Sequence, residues 1–353
     1  MSTANLDAAD LAAALSGGLI NEDVIQQIYN LDEGIPTPFT DMVGGGSFSN
    51  PYSEWTRNDL NDVDLANKVV DGSDASGNNT KIGTRVGNRA QISDKVIQIS
   101  DLAEEMSSVG NVGTMAYQTA KRILDLRRDV EAIALSGQAS VADDGNATAG
   151  QTAGLDAWLT TNTDNGAGGT NGGFNTTTKI VAAYTPGAKR ALSFADIITL
   201  GTQIYEGGGM PSVLMAIPAL IVKLNAFLLS TDGAPYRAVP TANVNGGGGM
   251  VGQVAQGHFA KIVHPLGFTI DLVPNRLQQV YDSADSAAAD VSTLFLIDPR
   301  YAAVANTGYR VDPLGKVGHS ERKLAKVHWM LKVFREDAHA GIRDLDATLA
   351  VTA

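Results

Sequence analysis

Apolar side chains recur in three rhythms along the 353-residue chain. The helical rhythm is clearest between Tyr117 and Ser136, where Ile123, Leu126, Val130 and Ile133 recur at intervals of three and four and make one stripe. Lys121 with Asp125, and Arg127 with Glu131, stand four apart as opposite charges, and Gly137 supplies a stop. Twenty residues of helix make a rod of about 30 Å. A second helix is expected over Phe194–Glu206, opened by a capping-box-like Ser193 and Asp196 and ended by Gly207. Its buried face would be Phe194, Ile197, Ile198, Gly201, Ile204 and Tyr205. A short apolar strand, Val213–Ile217, follows, and Pro218 then opens a third helix. Helix, strand and helix at that spacing imply a mixed α+β layer.

The period of two that marks strands appears in Lys95, Ile97 and Ile99, which alternate with Val96 and Gln98. It returns where Val327, Trp329, Leu331 and Val333 alternate with His328, Met330, Lys332 and Phe334, a strand largely buried on both faces. Phe259–Leu272, turned at Leu266-Gly267, and Thr293–Ile297 read as further strands.

Elsewhere there is no rhythm that a core could use. Residues 1–46 read as an arm: an amphipathic candidate helix Glu22–Asn30, then extended backbone enforced by Pro36 and Pro38, then a flexible joint at Gly44-Gly45-Gly46. From Tyr52 to Ser100 the pattern is extended and polar, with a turn-forming tip at Asp71–Asn79, and predicts a long two-stranded loop. A lone hairpin is marginal in water, so another chain is expected to hold it. Residues 138–190 and 231–257 are glycine-rich excursions.

Composition sharpens this picture. Hydrophobic residues make up 44% of the chain, enough for a sizeable core, and the absence of cysteine excludes disulfides and thiolate metal sites. Residues 1–80 carry thirteen acidic side chains against Arg57 and Lys68, a net of −11, whereas the rest of the chain is nearly balanced at −1. Such asymmetry fits an acidic arm that meets basic surface on a neighbour, and it disfavours specific DNA binding, which needs clustered Lys and Arg. No signal-like run opens the sequence, and Pro218, Lys223 and Asn225 break its most apolar stretch. A soluble protein made in the cytoplasm, without membrane contact, is expected.

No catalytic pattern emerges. Gly247 to Gly252 fits a dinucleotide fingerprint by letter, but an unbroken glycine run without a preceding strand reads as a loop. His258, His264, His319, His328 and His339 include no helical pair with a glutamate, and His328 reads as a packed strand residue. Asp143-Asp144 could hold a cation weakly, although solvation is the simpler reading. No cofactor and no metal are expected.

The order of the parts resembles the major capsid proteins of tailed phages with the Hong Kong 97-like fold, closest in flavour to those of podoviruses. The matching pieces are the arm with Thr37-Pro38-Phe39, the segment Glu54 to Leu60, Arg85 to Ile92, and the helix Tyr117 to Glu131. Gly208-Gly209-Met210-Pro211 and Asp337 to Ile342 complete the set, which covers essentially the whole chain. The resemblance implies an α+β fold with N-terminal arm (1–46), extended β-hairpin loop (47–100), peripheral domain with a spine helix (101–190), axial domain (191–292) and C-terminal strands completing both (293–353). It also implies self-assembly through hexamers and pentamers into an icosahedral or elongated head around double-stranded DNA, in a virion put together in the host cytoplasm. Scaffolding, portal and decoration proteins are the further partners it allows, with packaged DNA touched non-specifically at most.

Candidate subunit contacts are Phe39, Trp55, Arg57, Arg85, Asn88 and Gln91 in the arm and loop. On the helix they are Lys121, Arg122, Arg127, Arg128 and Glu131. Some relatives cross-link their loops through Lys and Asn; Lys68 and Lys81 flank the tip here without an identifiable partner. Two other readings stay open: an α/β nucleotide-binding enzyme using Gly246–Gly249, and another phage structural part such as a tail or decoration protein.

Overall fold

A computed structural model describes residues 36–74, 77, 80–106, 114–229, 259–285, 289–316 and 318–352. The arm helix expected at Glu22–Asn30, the glycine run at 246–252 and His258 lie outside the described residues. Helix α1 (Pro38–Met42) and strand β1 (Gly44–Gly46) lead into a hairpin of β2 (Tyr52–Arg57) and β3 (Thr84–Arg89). Strand β4 (Gln91–Ser100), the short α2 (Asp101–Glu105) and the spine helix α3 (Met115–Ala134) follow. A single turn α4 (Leu155–Trp158), β5 (Thr163–Asp164) and the ladder of β6 (Gly173–Asn175) and β7 (Ile180–Ala182) precede α5 (Phe194–Glu206), β8 (Val213–Ala216) and α6 (Pro218–Leu229). The remaining strands are β9 (Lys261–Val263), β10 (Thr269–Pro274), β11 (Tyr281–Asp282), β12 (Ala289–Ile297), β13 (Ala302–Asn306), β14 (Arg310–Leu314), β15 (Ser320–Val333) and β16 (Ala340–Asp346).

Two sheets organise these elements. In the first, of order β1-β13-β15-β14, the fourteen-residue β15 also carries β4 along its first ten residues. The spine helix packs on this sheet, where Ile97, Met115, Leu126 and Ala325 close a small core. In the second, β5-β16-β12-β8-β10-β9, the amphipathic α5 and the nearly all-apolar α6 cover one face. Ile197, Leu200, Ile204, Leu220 and Leu224 meet Leu214, Ile270, Leu296 and Ile342 there. A further cluster, from Val130 and Trp158 to Phe295 and Trp329, joins the two sheets. Gly154 passes so close beneath the end of the spine helix that a Cβ would lie 2.1 Å from the Ser136 carbonyl oxygen.

Several local expectations change. The spine helix begins at Met115, because the Thr114 hydroxyl accepts the Tyr117 amide and fixes the first turn. Helix α5 keeps its expected bounds, but Ser193 makes no side-chain cap, and Asp196 instead faces Arg190 at 3.5 Å. Leu200 is buried on α5, while Tyr205 at its rim is 51% exposed. Pro38 does not extend the arm: it opens α1, where a residue without an N–H costs nothing. Gly44-Gly45-Gly46 is no loose joint, since it pairs in parallel with Ala303-Val304-Ala305. The hairpin is zipped over six pairs, from Tyr52–Arg89 to Arg57–Thr84, and the described residues between 58 and 83 carry no strand. The turn at Leu266-Gly267 and the strand at Thr293–Ile297, extended back to Ala289, are as expected.

Strand β16 concentrates buried polar groups. Arg343 is wholly enclosed; its Nε donates to Asp156 Oδ1 at 2.6 Å, and its other donors reach Asn165, Asn171 and the carbonyls of Asp156 and Leu159. The neighbouring Asp344, at φ 59°, accepts the Tyr184 hydroxyl and the amides of Gly166 and Gly187. These two side chains tie the glycine-rich 160–190 excursion to the second sheet. Arg343 is tolerable there because Asp156 pairs with it, and Asp344 because three donors hydrogen-bond to it. His339, at the entrance to the same strand, is also enclosed, and burial lowers its pKa from 6.5 to about 4.

The unfolded chain binds the His339 proton below pH 6.5 and the folded chain only near pH 4. Stability is therefore expected to fall as pH drops through that window, by up to ~3 kcal/mol. Urea unfolding at pH 7, 6, 5 and 4 should show this slope, and His339→Asn should flatten it.

Candidate assembly interface

The arm, the hairpin base and the spine helix meet around three buried side chains. Glu131, on the inward side of the spine helix, receives the Phe39 amide at 2.7 Å on Oε1 and the Thr40 amide at 2.8 Å on Oε2. Those are the first free N–H groups of α1, so the carboxylate caps a helix from another part of the chain. Asn275 Nδ2 adds a third donor at 2.7 Å. Burial pushes the Glu131 carboxyl above its ordinary value, against the donors that favour its ionised form. Asn88, in β3, donates to Thr152 Oγ1 and to the Ala153 and Leu331 carbonyls, and accepts the Ala153 amide. Phe39 fills the core beside them.

Phe39, Asn88 and Glu131 have no exposed surface in a single chain. Their expected place at a subunit contact gives way to an internal one, because each is consumed by packing or by partners of its own chain. Gln91 likewise works inside, accepting Gln138 Nε2 at 3.1 Å and the Thr152 amide at 3.2 Å. Trp55 is half-buried: its Nε1 donates to the Val333 carbonyl at 3.1 Å, and its ring lies 5.8 Å from that of Trp158.

Charged candidates sit nearer the surface. Arg85 and Lys179 share Glu54. Arg57 lies beside Trp55, Gly207–Gly209, Phe334, Arg335 and Asp337 in a cleft of about 420 Å³. Arg335 bridges Asp337 and Asp59, fastening the start of the loop to the end of β15. On the spine helix, Lys121 is exposed and Arg127 lies over the Tyr309 ring, its Cζ 5.6 Å from the centroid. The expected pairs four apart are replaced: Asp125 takes Arg122 at 2.5 Å and Arg128 at 4.0 Å, and Glu131 faces inward.

Beyond the zipped base the hairpin opens. Leu60, Val63, Leu65, Val69, Val70 and Ile82 are 79–97% exposed. Six large apolar side chains are thus left in water within 23 residues of the chain, a concentration that association would bury. In the sequence their alternation with Asp and Asn hides them in an apparently polar stretch.

Among the described residues no group of three His, Asp or Glu could hold a metal ion, and no helix is long and apolar enough to cross a membrane. Asp144 is occupied as a loop cap: hydrogen bonds from the backbone of Thr148, Asn146 and Ala147 hold its carboxyl at about 2. His264 is likewise spoken for, accepting the Leu266 amide on Nδ1 and reaching the Ile198 carbonyl through Nε2.

The SU10 major capsid protein family matches residues 4–346. The major capsid protein of Escherichia phage Phieco32 is 25% identical over 299 residues, covering 77% of this chain and 82% of its own. Among solved structures, an encapsulin from Synechococcus elongatus PCC 7942 superposes with a TM-score of 0.55 at 13% identity, over 99% of both chains. The capsid of a native GTA particle gives 0.54 at 14%, over 94% of this chain and 98% of its own. The fold is the Hong Kong 97-like fold of such shells.

Glu131→Gln is expected to cost ~1–3 kcal/mol, since an amide nitrogen replaces one of two acceptor oxygens facing backbone donors. Urea unfolding measures the loss, and limited proteolysis should find new cleavage within residues 36–46.

Proposed function

The chain belongs to the SU10 major capsid protein family and forms capsids, and from that premise we propose how its copies hold together. The loop at 58–83 lies across a neighbouring copy and hides its six apolar side chains there. That exposed run carries the reading: burying one Val, Leu or Ile contributes about 1.5–3 kcal/mol, so even half-burial of six offsets much of the cost of association. Arg57 and Arg85 at the hairpin base, with Lys121, Arg122, Arg127 and Arg128 along the spine helix, are the charged groups placed to steer copies into register. The acidic residues 1–35, which carry six carboxylates and no Lys or Arg, would meet such cations on an adjacent copy.

In this proposal the five stretches of the chain act as arm, loop, peripheral domain, axial domain and completing strands. Copies gather in sixes and fives, and the closed head, isometric or elongated, encloses double-stranded DNA and touches it without sequence preference. Assembly takes place in the host cytoplasm, with scaffolding, portal and decoration proteins as further partners. The chain acts as a building block, with no catalytic step of its own.

Leu65→Asp with Ile82→Asp should leave the stability of the single chain within about 0.5 kcal/mol, as for other surface changes, while abolishing closed shells. Electron microscopy of the expressed protein and urea unfolding of its dissociated form test the two halves of that statement. Normal shells from the double variant would defeat the loop's proposed role.

A further inference from the structure

Strand β4 is ten residues long, and among the described residues it pairs on one side only, with β15. A free strand edge of that length is a template for another strand. Along its second half runs a groove of about 420 Å³, walled by Val96 to Ser100, by Ala103 of α2, and by Gln118 and Arg122 of the spine helix. Five strand residues span about 16 Å, so the groove offers room beside the edge for a short extended segment.

We propose that this edge receives the run Leu60–Leu65 from a second copy of the chain, added as a further strand to the first sheet. The inference rests on the loop acting between copies, and it supplies the place and manner of docking.

The run suits the site. From Asn58 to Asp71 the chain has neither glycine nor proline, in a protein with 38 glycines and 12 prolines, so nothing in it prevents ladder formation. Val63 and Leu65 alternate with Asp62 and Asp64, which is the period that puts apolar groups on one face and acids on the other. On the receiving strand Val96 is 52% exposed on one face, while Ile97 and Ile99 line the groove from the other, turned toward the spine helix. Arg122 is the charged residue lining the groove; its Nη1 holds Asp125 at 2.5 Å, and the rest of its guanidinium can receive Asp62 or Asp64.

The donor must be another copy. Asp59 is fastened to Arg335, just past the far end of β15, whereas the groove lies beside Gln98, whose partner in the ladder is Arg322. Thirteen residues of extended chain separate Arg322 from Arg335, about 40 Å. The six residues after Asp59 reach at most ~20 Å. A chain cannot serve its own groove.

The absence of cysteine allows a clean test. Shells assembled from a mixture of V63C and Q98C chains, treated with a short bismaleimide, should yield covalent dimers at least tenfold above a V63C and V263C mixture. Val263 is an exposed control site in the second sheet. Dimers formed instead between V63C and K121C chains would overturn strand addition at β4 while keeping the loop between copies. Intact shells with no V63C cross-link at any of these sites would overturn both. Hydrogen–deuterium exchange on the unaltered protein provides a second reading: the outward amides of residues 96–100 should exchange at least tenfold more slowly in shells than in dissociated chains, and equal rates would refute the inference.

Discussion

The ladder along β15 is the constraint on which the rest of the molecule depends. Its first ten residues are clasped by β4 on one side, with β14 on the other, and its last five take β13. Through β13 it reaches β1, through β4 it carries the spine helix, and its end anchors the hairpin by Trp55 and by Arg335. Backbone donors and acceptors used on both edges leave the strand no freedom to slip, because a one-residue shift would put Lys332 and His328 where Trp329 and Leu331 are now buried. The positions of arm, loop and helix follow from that register.

Within this frame, a few buried polar groups decide where irregular chain must lie. Glu131 fixes the arm, Asn88 the hairpin base, and Arg343 with Asp156 and Asp344 the glycine-rich excursion. Each gathers donors or acceptors from segments far apart in sequence, which a hydrophobic contact could not orient so narrowly. Removing any one would leave its partners buried and unsatisfied, so these sites specify the geometry as well as stabilise it.

The regular elements were legible because periodicity records which side of an element is covered. Phe194–Glu206 and the strand around Trp329 carry their burial in their spacing, and the order of arm, loop, spine helix and axial strands suggested the shell fold. What escaped was written across distance. Glu131 looked like one half of a surface pair with Arg127, since nothing nearby shows that α1 will arrive with two unsatisfied amides. Gly44-Gly45-Gly46 looks loose in the sequence because its partner, Ala303 to Ala305, is some 260 residues away. The loop's apolar residues are hard to see for a different reason: they alternate with Asp and Asn, and spacing alone does not record that no other part of the described chain covers them.

The hairpin's six-pair root and open span have a mechanical consequence. Under the proposed role of the loop, a subunit joins or leaves its neighbours by moving only the span, with its own sheets and helices undisturbed. Individual contacts are then weak enough to break, and a copy that settles in the wrong place can detach before later arrivals trap it. Closure of the particle converts many reversible contacts into a lasting wall, so accuracy comes first and permanence last.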